Sequence, residues 1–149
     1  MKLEQEIAQR SFRNEEHKLA VNLIYTYYWL YNSQSHIYKK YGITGQQFNI
    51  LRILRGQHPN PVNLKLLRER MLDKMSDVSR IVEKLRVKKL LERTTSESDR
   101  RHCEVRITDK GRALLSEMDH EDQKADELFS KLTQAEKKSL NDLLDRLRG

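Results

Sequence analysis

Two clusters of side chains in this chain have the types and spacing for chemistry with an external partner. The first is Ser76, Asp77, Ser79, Arg80, Glu83 and Lys84. At about 100° per residue, Ser76, Arg80, Glu83 and Lys84 point away from the apolar repeat Val78, Ile81, Val82 and Leu85, while Asp77 and Ser79 flank that surface. A guanidinium grips guanine O6 and N7 through two parallel hydrogen bonds, and a serine hydroxyl suits a base edge or a phosphate. The second cluster is Asp99-Arg100-Arg101, in a polar stretch far from any core pattern. Arginine on a thin loop suits a narrow, electronegative minor groove. A neighbouring aspartate can hold a guanidinium in one direction. Each cluster also has a plainer reading, because any amphipathic helix has a polar outer face and charged turns are common.

The elements that must position these residues follow from periodicity. Residues 14–41 read as one long helix, with Leu19, Leu23, Tyr27 and Leu30 on one face. About 27 residues at about 1.5 Å each make a rod of about 40 Å, too long for a small domain to cover alone. Gly42 ends it. Thr44 and Gln47 have capping-box spacing at the start of a second helix, whose stripe is Phe48, Leu51 and Leu54 and whose end is Gly56. His58-Pro59-Asn60-Pro61 reads as a rigid loop. Asn63 caps a short third helix, and Asp73 is expected to cap a fourth running to about Lys88.

The period then drops to two. Residues 91–95 read as a strand, and residues 102–108 alternate, with Cys103, Val105 and Ile107 on one side. Between them residues 96–101 are polar turn material, making a β-hairpin with a basic tip. Thr108 caps a fifth helix carrying Leu114, Leu115, Met118 and, later, Leu128. Thr133, with Glu136, opens a sixth, striped by Leu140, Leu143, Leu144 and Leu147. The expected fold is mostly α, a winged helix-turn-helix of about six helices plus a β-hairpin wing.

Composition bounds the function. A chain of 149 residues is one domain's worth. Hydrophobic residues make up 37% and charged residues 34%, so long, sparsely apolar helices would complete their cores with a second copy of the chain. No apolar run approaches the roughly 18 residues of a membrane span, and the first residues are not a signal peptide. One cysteine permits no intrachain disulfide, which suits a reducing cytoplasm. Residues 51–112 hold 17 Lys/Arg against nine Asp/Glu, whereas residues 113–149 hold six against nine. A localised basic block is the footprint of a nucleic-acid binder, or a solvated basic surface.

Asp99-Arg100-Arg101, then Val105-Arg106-Ile107-Thr108 and Gly111, resembles the wing signature of the MarR family. Val78-Ser79-Arg80-Ile81-Val82 with Leu85 resembles that family's recognition helix. Leu90-Leu91-Glu92-Arg93 resembles its approach to the wing, and Ile43-Thr44 with Gln47-Phe48 and Leu51 its second helix. The resemblance covers roughly residues 19–149. It implies a single MarR-like domain over 1–149, in which 43–112 binds double-stranded DNA and the terminal helices, 1–42 and 113–149, form a dimerisation region. It also implies a homodimer straddling a pseudo-palindromic operator, acting as a repressor, with release by a small aromatic effector. Arg101 would enter the minor groove, Asp99 would orient the wing, and Arg100 would touch phosphate or support Arg101. Ser76, Ser79 and Arg80 would lie at the major groove. Two positions depart from the family: Lys89 stands where Gly is usual before the wing strand, and Arg68 where a small residue follows the third helix's leucine. A left-handed backbone at Lys89 would cost about 1 kcal/mol relative to glycine.

Other residues have competing readings. Cys103 reads as a small core hydrophobe rather than an oxidant sensor. Tyr25, Tyr27, Tyr28, Trp29 and Tyr31 read as core or dimer interface, or, at Tyr28 and Trp29 above all, as an effector pocket. The histidines show no metal-ligand spacing, and no phosphate loop or catalytic set is present, so no cofactor, metal or enzyme is expected. The rival function is a protein-docking winged helix without specific DNA binding.

Overall fold

In the computed structural model, residues 2–95 and 103–149 are described. The chain divides into two units, one ending at Gly45 and the other beginning at Gln46. In the first, the one-turn α1 (Leu3–Glu6) precedes α2 (Glu15–Lys40). Asn14 caps α2 by accepting from the His17 backbone N–H at 2.9 Å. Glu15 and Glu16 in its first turn and Lys39 and Lys40 in its last complement the helix dipole. Two contacts hold α1 against α2: a Glu4–Lys18 ion pair at 2.6 Å, and a hydrogen bond from the Tyr25 hydroxyl to Glu6 at 3.0 Å. No residue of α2 is buried. Its aromatic residues are therefore not core within one chain.

The second unit contains the winged motif. α3 (Gly45–Gln57) starts directly after Thr44, as its pattern suggests. Gly56 lies inside α3 rather than ending it, since the prolines at 59 and 61 are what stop the helix. β1 (Val62–Asn63) follows, a strand too short for alternation to reveal. α4 (Leu64–Arg70) is capped by Asn63, whose side chain accepts from Leu66 N–H at 2.8 Å. α5 (Val78–Val87) leads into β2 (Leu91–Thr95) and β3 (Cys103–Ile107). The sheet is antiparallel in the order β1-β3-β2, with Val62 opposite Val105 and Leu91 opposite Ile107. The inward residues of β3 (Cys103, Val105 and Ile107) join Val78, Ile81, Val82 and Leu85 of α5 among the buried residues, together with Ile50, Leu51 and Leu54 of α3. Cys103 thus has the core position that the alternation gives it.

α6 (Asp109–Met118) is capped by Thr108, which accepts from Gly111 N–H at 3.0 Å. The helix expected to run on to Leu128 breaks instead. A 3-10 turn (Asp119–Glu121) separates α6 from α7 (Asp122–Glu127). At the break the Asp119 carboxylate accepts two hydrogen bonds from Arg55 of α3, at 2.8 and 3.0 Å. That guanidinium holds the Asp119 carboxyl below the usual carboxylate range. α8 (Gln134–Arg148) begins with the expected capping box of Thr133 and Glu136, and none of its residues is buried. The described residues therefore hold eight α-helical segments, where the sequence suggested about six.

The turn from α5 into β2 is a Schellman motif. Lys89 N–H donates to Arg86 C=O at 2.9 Å and Leu90 N–H to Leu85 C=O at 3.0 Å. Lys89 has φ +60°, the left-handed conformation that glycine favours. Against this turn packs Gly111, where a Cβ would lie 2.2 Å from the Leu90 carbonyl oxygen and 2.8 Å from an Ile107 side-chain carbon. Lys89→Gly should therefore stabilise the protein by about 1 kcal/mol, and Gly111→Ala should destabilise it by about 1–3 kcal/mol or more. Equilibrium denaturant unfolding of both variants checks the opposite signs.

Candidate nucleic-acid interface

The second helix of a helix-turn-helix pair meets DNA through its N-terminal part, so the start of α5 decides which residues can act. The expected cap, Asp73, lies before the helix. Asp77 is the N-cap, its carboxylate accepting from Arg80 N–H at 3.1 Å. Asp73 is occupied elsewhere: one oxygen accepts from Met75 N–H at 2.9 Å and the other from the Gln46 side chain at 3.0 Å. These bonds hold its carboxyl below the ordinary aspartate value. The expected helix start is corrected accordingly, which leaves Ser76 and Asp77 outside the helical residues of α5. Ser76 lies in the link and Asp77 at the boundary, because a long-range bond to Gln46 takes the aspartate that local spacing made the cap.

The exposed face of α5 then sorts by partner. Ser79 and Arg80 are exposed in the first turn, and Lys84 is exposed one turn on. Arg80 and Lys84 have no ion pair among the described residues. Glu83 is bound by Arg86 through two hydrogen bonds, at 2.9 and 2.8 Å, and that guanidinium lowers its carboxyl pKa. Glu83 and Arg86 therefore neutralise each other on the helix. Ser76 Oγ lies 3.3 Å from the donating Gln46 amide, and Ser79 Oγ lies 3.4 Å from the guanidinium of Arg68 on α4. Arg68 thus joins the face although its spacing places it on another helix. Gln46 and Asn49 of α3, which fix the link, were also missed, since only tertiary contact relates them to it. Asp99, Arg100 and Arg101 lie outside the described residues, in the chain between the paired Thr95 and Cys103.

A groove of about 370 Å³ runs along α2, lined by Tyr25, Tyr28, Trp29, Asn32, Ser33 and His36. Both residues singled out for an effector are on it. It combines aromatic faces with polar groups, and the Tyr25 phenol, hydrogen-bonded to Glu6, holds its proton more tightly than usual. On β2, Arg93 Nε donates to Cys103 Sγ at 2.8 Å. No helix among the described residues is long and apolar enough to cross a membrane.

A short helix pair, α4 and α5, followed by an antiparallel two-stranded hairpin, defines the winged helix-turn-helix class. Comparison with known proteins narrows it. The MarR-family sequence model matches residues 41–102. The HTH-type transcriptional regulator MgrA of Staphylococcus aureus is 30% identical over 142 residues, 90% of this chain and 92% of MgrA. Among solved structures, Bordetella bronchiseptica BpsR, whose DNA binding is regulated by 6-hydroxynicotinic acid, is 25% identical, with a TM-score of 0.70 over 86% of this chain and 99% of BpsR. S. aureus MepR in its DNA complex shares the fold at 17% identity, with a TM-score of 0.76 over 86% of this chain and 94% of MepR. The chain belongs to the MarR family of DNA-binding transcriptional regulators, and is not an enzyme.

The Asp73 bonds make the link before α5 pH-sensitive. A carboxyl whose folded pKa is lowered contributes stability that is present above its unfolded value, about 3.9, and is lost as pH falls through the folded one. Asp73→Asn should melt below the wild type at neutral pH, with the difference closing as the pH drops through and below about 4. Thermal melts across that range check the convergence.

Proposed function

We propose that this chain is a cytoplasmic, homodimeric repressor that reads a pseudo-palindromic operator and is released by a small aromatic acid or phenol. The observation that carries the DNA-reading part is the pair of cations, Arg80 and Lys84, exposed on α5 without an ion pair among the described residues, with the Arg68 guanidinium beside Ser79 in the same first turn. Residues 43–112 would form the DNA-binding part, with Arg80 and Ser79 at base edges and Asp77 and Ser76 next to them. Arg100 and Arg101, steered by Asp99, would reach the flanking minor groove. Glu83 keeps Arg86 in place rather than touching a base. Repression follows from position alone, since a dimer lying across a promoter blocks polymerase without further contacts.

Two observations support the homodimer. Leu140, Leu143 and Leu147 form an exposed apolar stripe on α8, and Leu19, Ile24, Tyr27 and Tyr31 are exposed on α2. A second copy of the chain supplies cover of matching chemistry for both. Residues 1–42 and 113–149 would form this dimerisation region. BpsR supports the effector reading through its regulation by 6-hydroxynicotinic acid, a ring with hydroxyl and carboxyl groups that Tyr28 and Trp29 could stack on while Asn32, Ser33 or His36 meet its polar edge.

If two copies of α5 occupy successive major grooves, the half-sites should lie about 10 bp apart. Affinity should fall by about 0.9 log units per log unit of salt for each phosphate neutralised. Arg80→Ala should lower affinity by about 1–3 kcal/mol and relax base preference, whereas Lys84→Ala should weaken all sequences about equally. Titrations of selected and scrambled duplexes at several salt concentrations test this. A shallow slope with no sequence preference would leave the protein-docking reading in its place. Sedimentation of Leu143→Glu with Leu147→Glu should show loss of the dimer, and an unchanged dimer would move the interface elsewhere.

A further inference from the structure

The link between α4 and α5 is tied at several points. Leu72 N–H donates to the Asn49 side chain at 2.9 Å. Met75 N–H donates to Asp73 Oδ1 at 2.9 Å, and Ser76 N–H to the Asp73 carbonyl at 3.2 Å. Gln46 donates to both Asp73 and Ser76, and Lys74 Nζ to the Glu69 carbonyl at 2.5 Å. Its apolar side chains are nonetheless treated differently. Met71 does so and is 2% exposed, yet Leu72 is 87% exposed and Met75 92%. A rigid backbone that presents a large apolar side chain to water has paid the ordering cost of a contact in advance.

Met75 stands two residues before the Asp77 cap, at the end of α5 that meets base edges. The surrounding sequence settles which partner suits it. Arg68, Arg70, Lys74, Arg80 and Lys84 are all exposed on α4, the link and α5. Four acids share the stretch, but Glu83 is bound by Arg86 and Asp73 and Asp77 accept backbone N–H bonds, while Arg80 and Lys84 have no ion pair among the described residues. That face suits a polyanion, and the apolar groups a DNA major groove offers are the 5-methyls of thymine. We propose that Met75 reads thymine methyl groups at the edge of each half-site, a specificity determinant beyond the polar contacts of α5. The inference rests on the DNA-reading function proposed above. Methionine suits the task, being unbranched and polarizable and able to settle against a methyl without a directional bond.

The test uses a duplex that the full-length protein selects from a random-sequence pool, with each thymine replaced in turn by deoxyuridine, which removes only the methyl. Wild-type affinity should fall about fourfold at one or two positions in each half-site, the weight of one buried carbon. Met75→Gln should bind the selected duplex more weakly and be indifferent to those same replacements. Met75→Leu should restore the sensitivity. Because the side chain is almost fully exposed, all three proteins should melt alike. Met75→Gln retaining the wild-type uracil sensitivity would overturn the proposal, as would a wild type indifferent to every replacement while still preferring the selected duplex over a scrambled one. A wild type with no such preference would overturn the DNA-reading function itself, and this contact with it.

Discussion

Three consecutive carbonyls, those of Lys88, Lys89 and Leu90, are all taken by the start of α6. Lys110 Nζ donates to the first at 3.2 Å, Thr108 Oγ1 to the second at 2.8 Å and Thr108 N–H to the third at 3.1 Å. This joint ties together the end of α5, the start of β2 and the return of β3 into α6. It is close because Gly111 has no side chain, leaving the Leu90 carbonyl room to approach. The direction of the wing relative to the recognition helix follows from it. β2 begins one residue after Leu90, and the register that pairs Leu91 with Ile107 is set within the same few residues. A glycine allowing close approach is usually argued from ligands. Here the approaching group is the protein's own backbone, and the contact helps set the angle between α5 and the hairpin.

The molecule uses one helix ending twice and fills it differently. After α2, Gly42 N–H donates to Lys39 C=O at 3.0 Å and Ile43 N–H to Tyr38 C=O at 3.1 Å, with Gly42 at φ +69°. After α5 the same pair of bonds closes over Lys89 at φ +60°. The lysine is the strained choice, but it brings a cation to a helix C-terminus whose carbonyl dipoles favour one. Arg86 and Lys88 crowd the same end. Part of the backbone cost is thereby offset, and positive charge is placed where the helix turns towards the wing.

Much of this was legible in the sequence where the signal is local. The 3.6-residue repeat of Val78, Ile81, Val82 and Leu85, the alternation of Cys103, Val105 and Ile107, and the Thr133–Glu136 capping box all stand as read. What escaped was set by tertiary partners. Asp73 is the cap that spacing suggests, but its carboxylate is taken by Met75 N–H and by Gln46, 27 residues away, and Asp77 caps the helix instead. The continuous apolar pattern into Leu128 hides the break at Asp119, where the partner is Arg55, 64 residues away. β1 exists because Val62 meets Val105 across the sheet, which no pattern two residues long can announce. For the site, the face of Ser79, Arg80, Glu83 and Lys84 was readable, but the division of labour on it was not. Glu83 belongs to Arg86, and Arg68 arrives from another helix.

That division carries the physical argument for a polyanionic partner. Arg80 and Lys84 stand four residues apart on one helix face, a like-charge pair that weakens an isolated helix by a few tenths of a kcal/mol, about 0.2–0.5. Glu83 stands between the two cations in sequence, but its carboxylate is bound by Arg86 through two hydrogen bonds. A helix selected for its own stability would turn that acid to the two cations instead. Leaving them without an ion pair among the described residues, next to a link that exposes Met75, costs the isolated helix stability on its exposed face. On the proposed DNA-reading function, a DNA partner would supply both the countercharge and the apolar cover that this surface lacks.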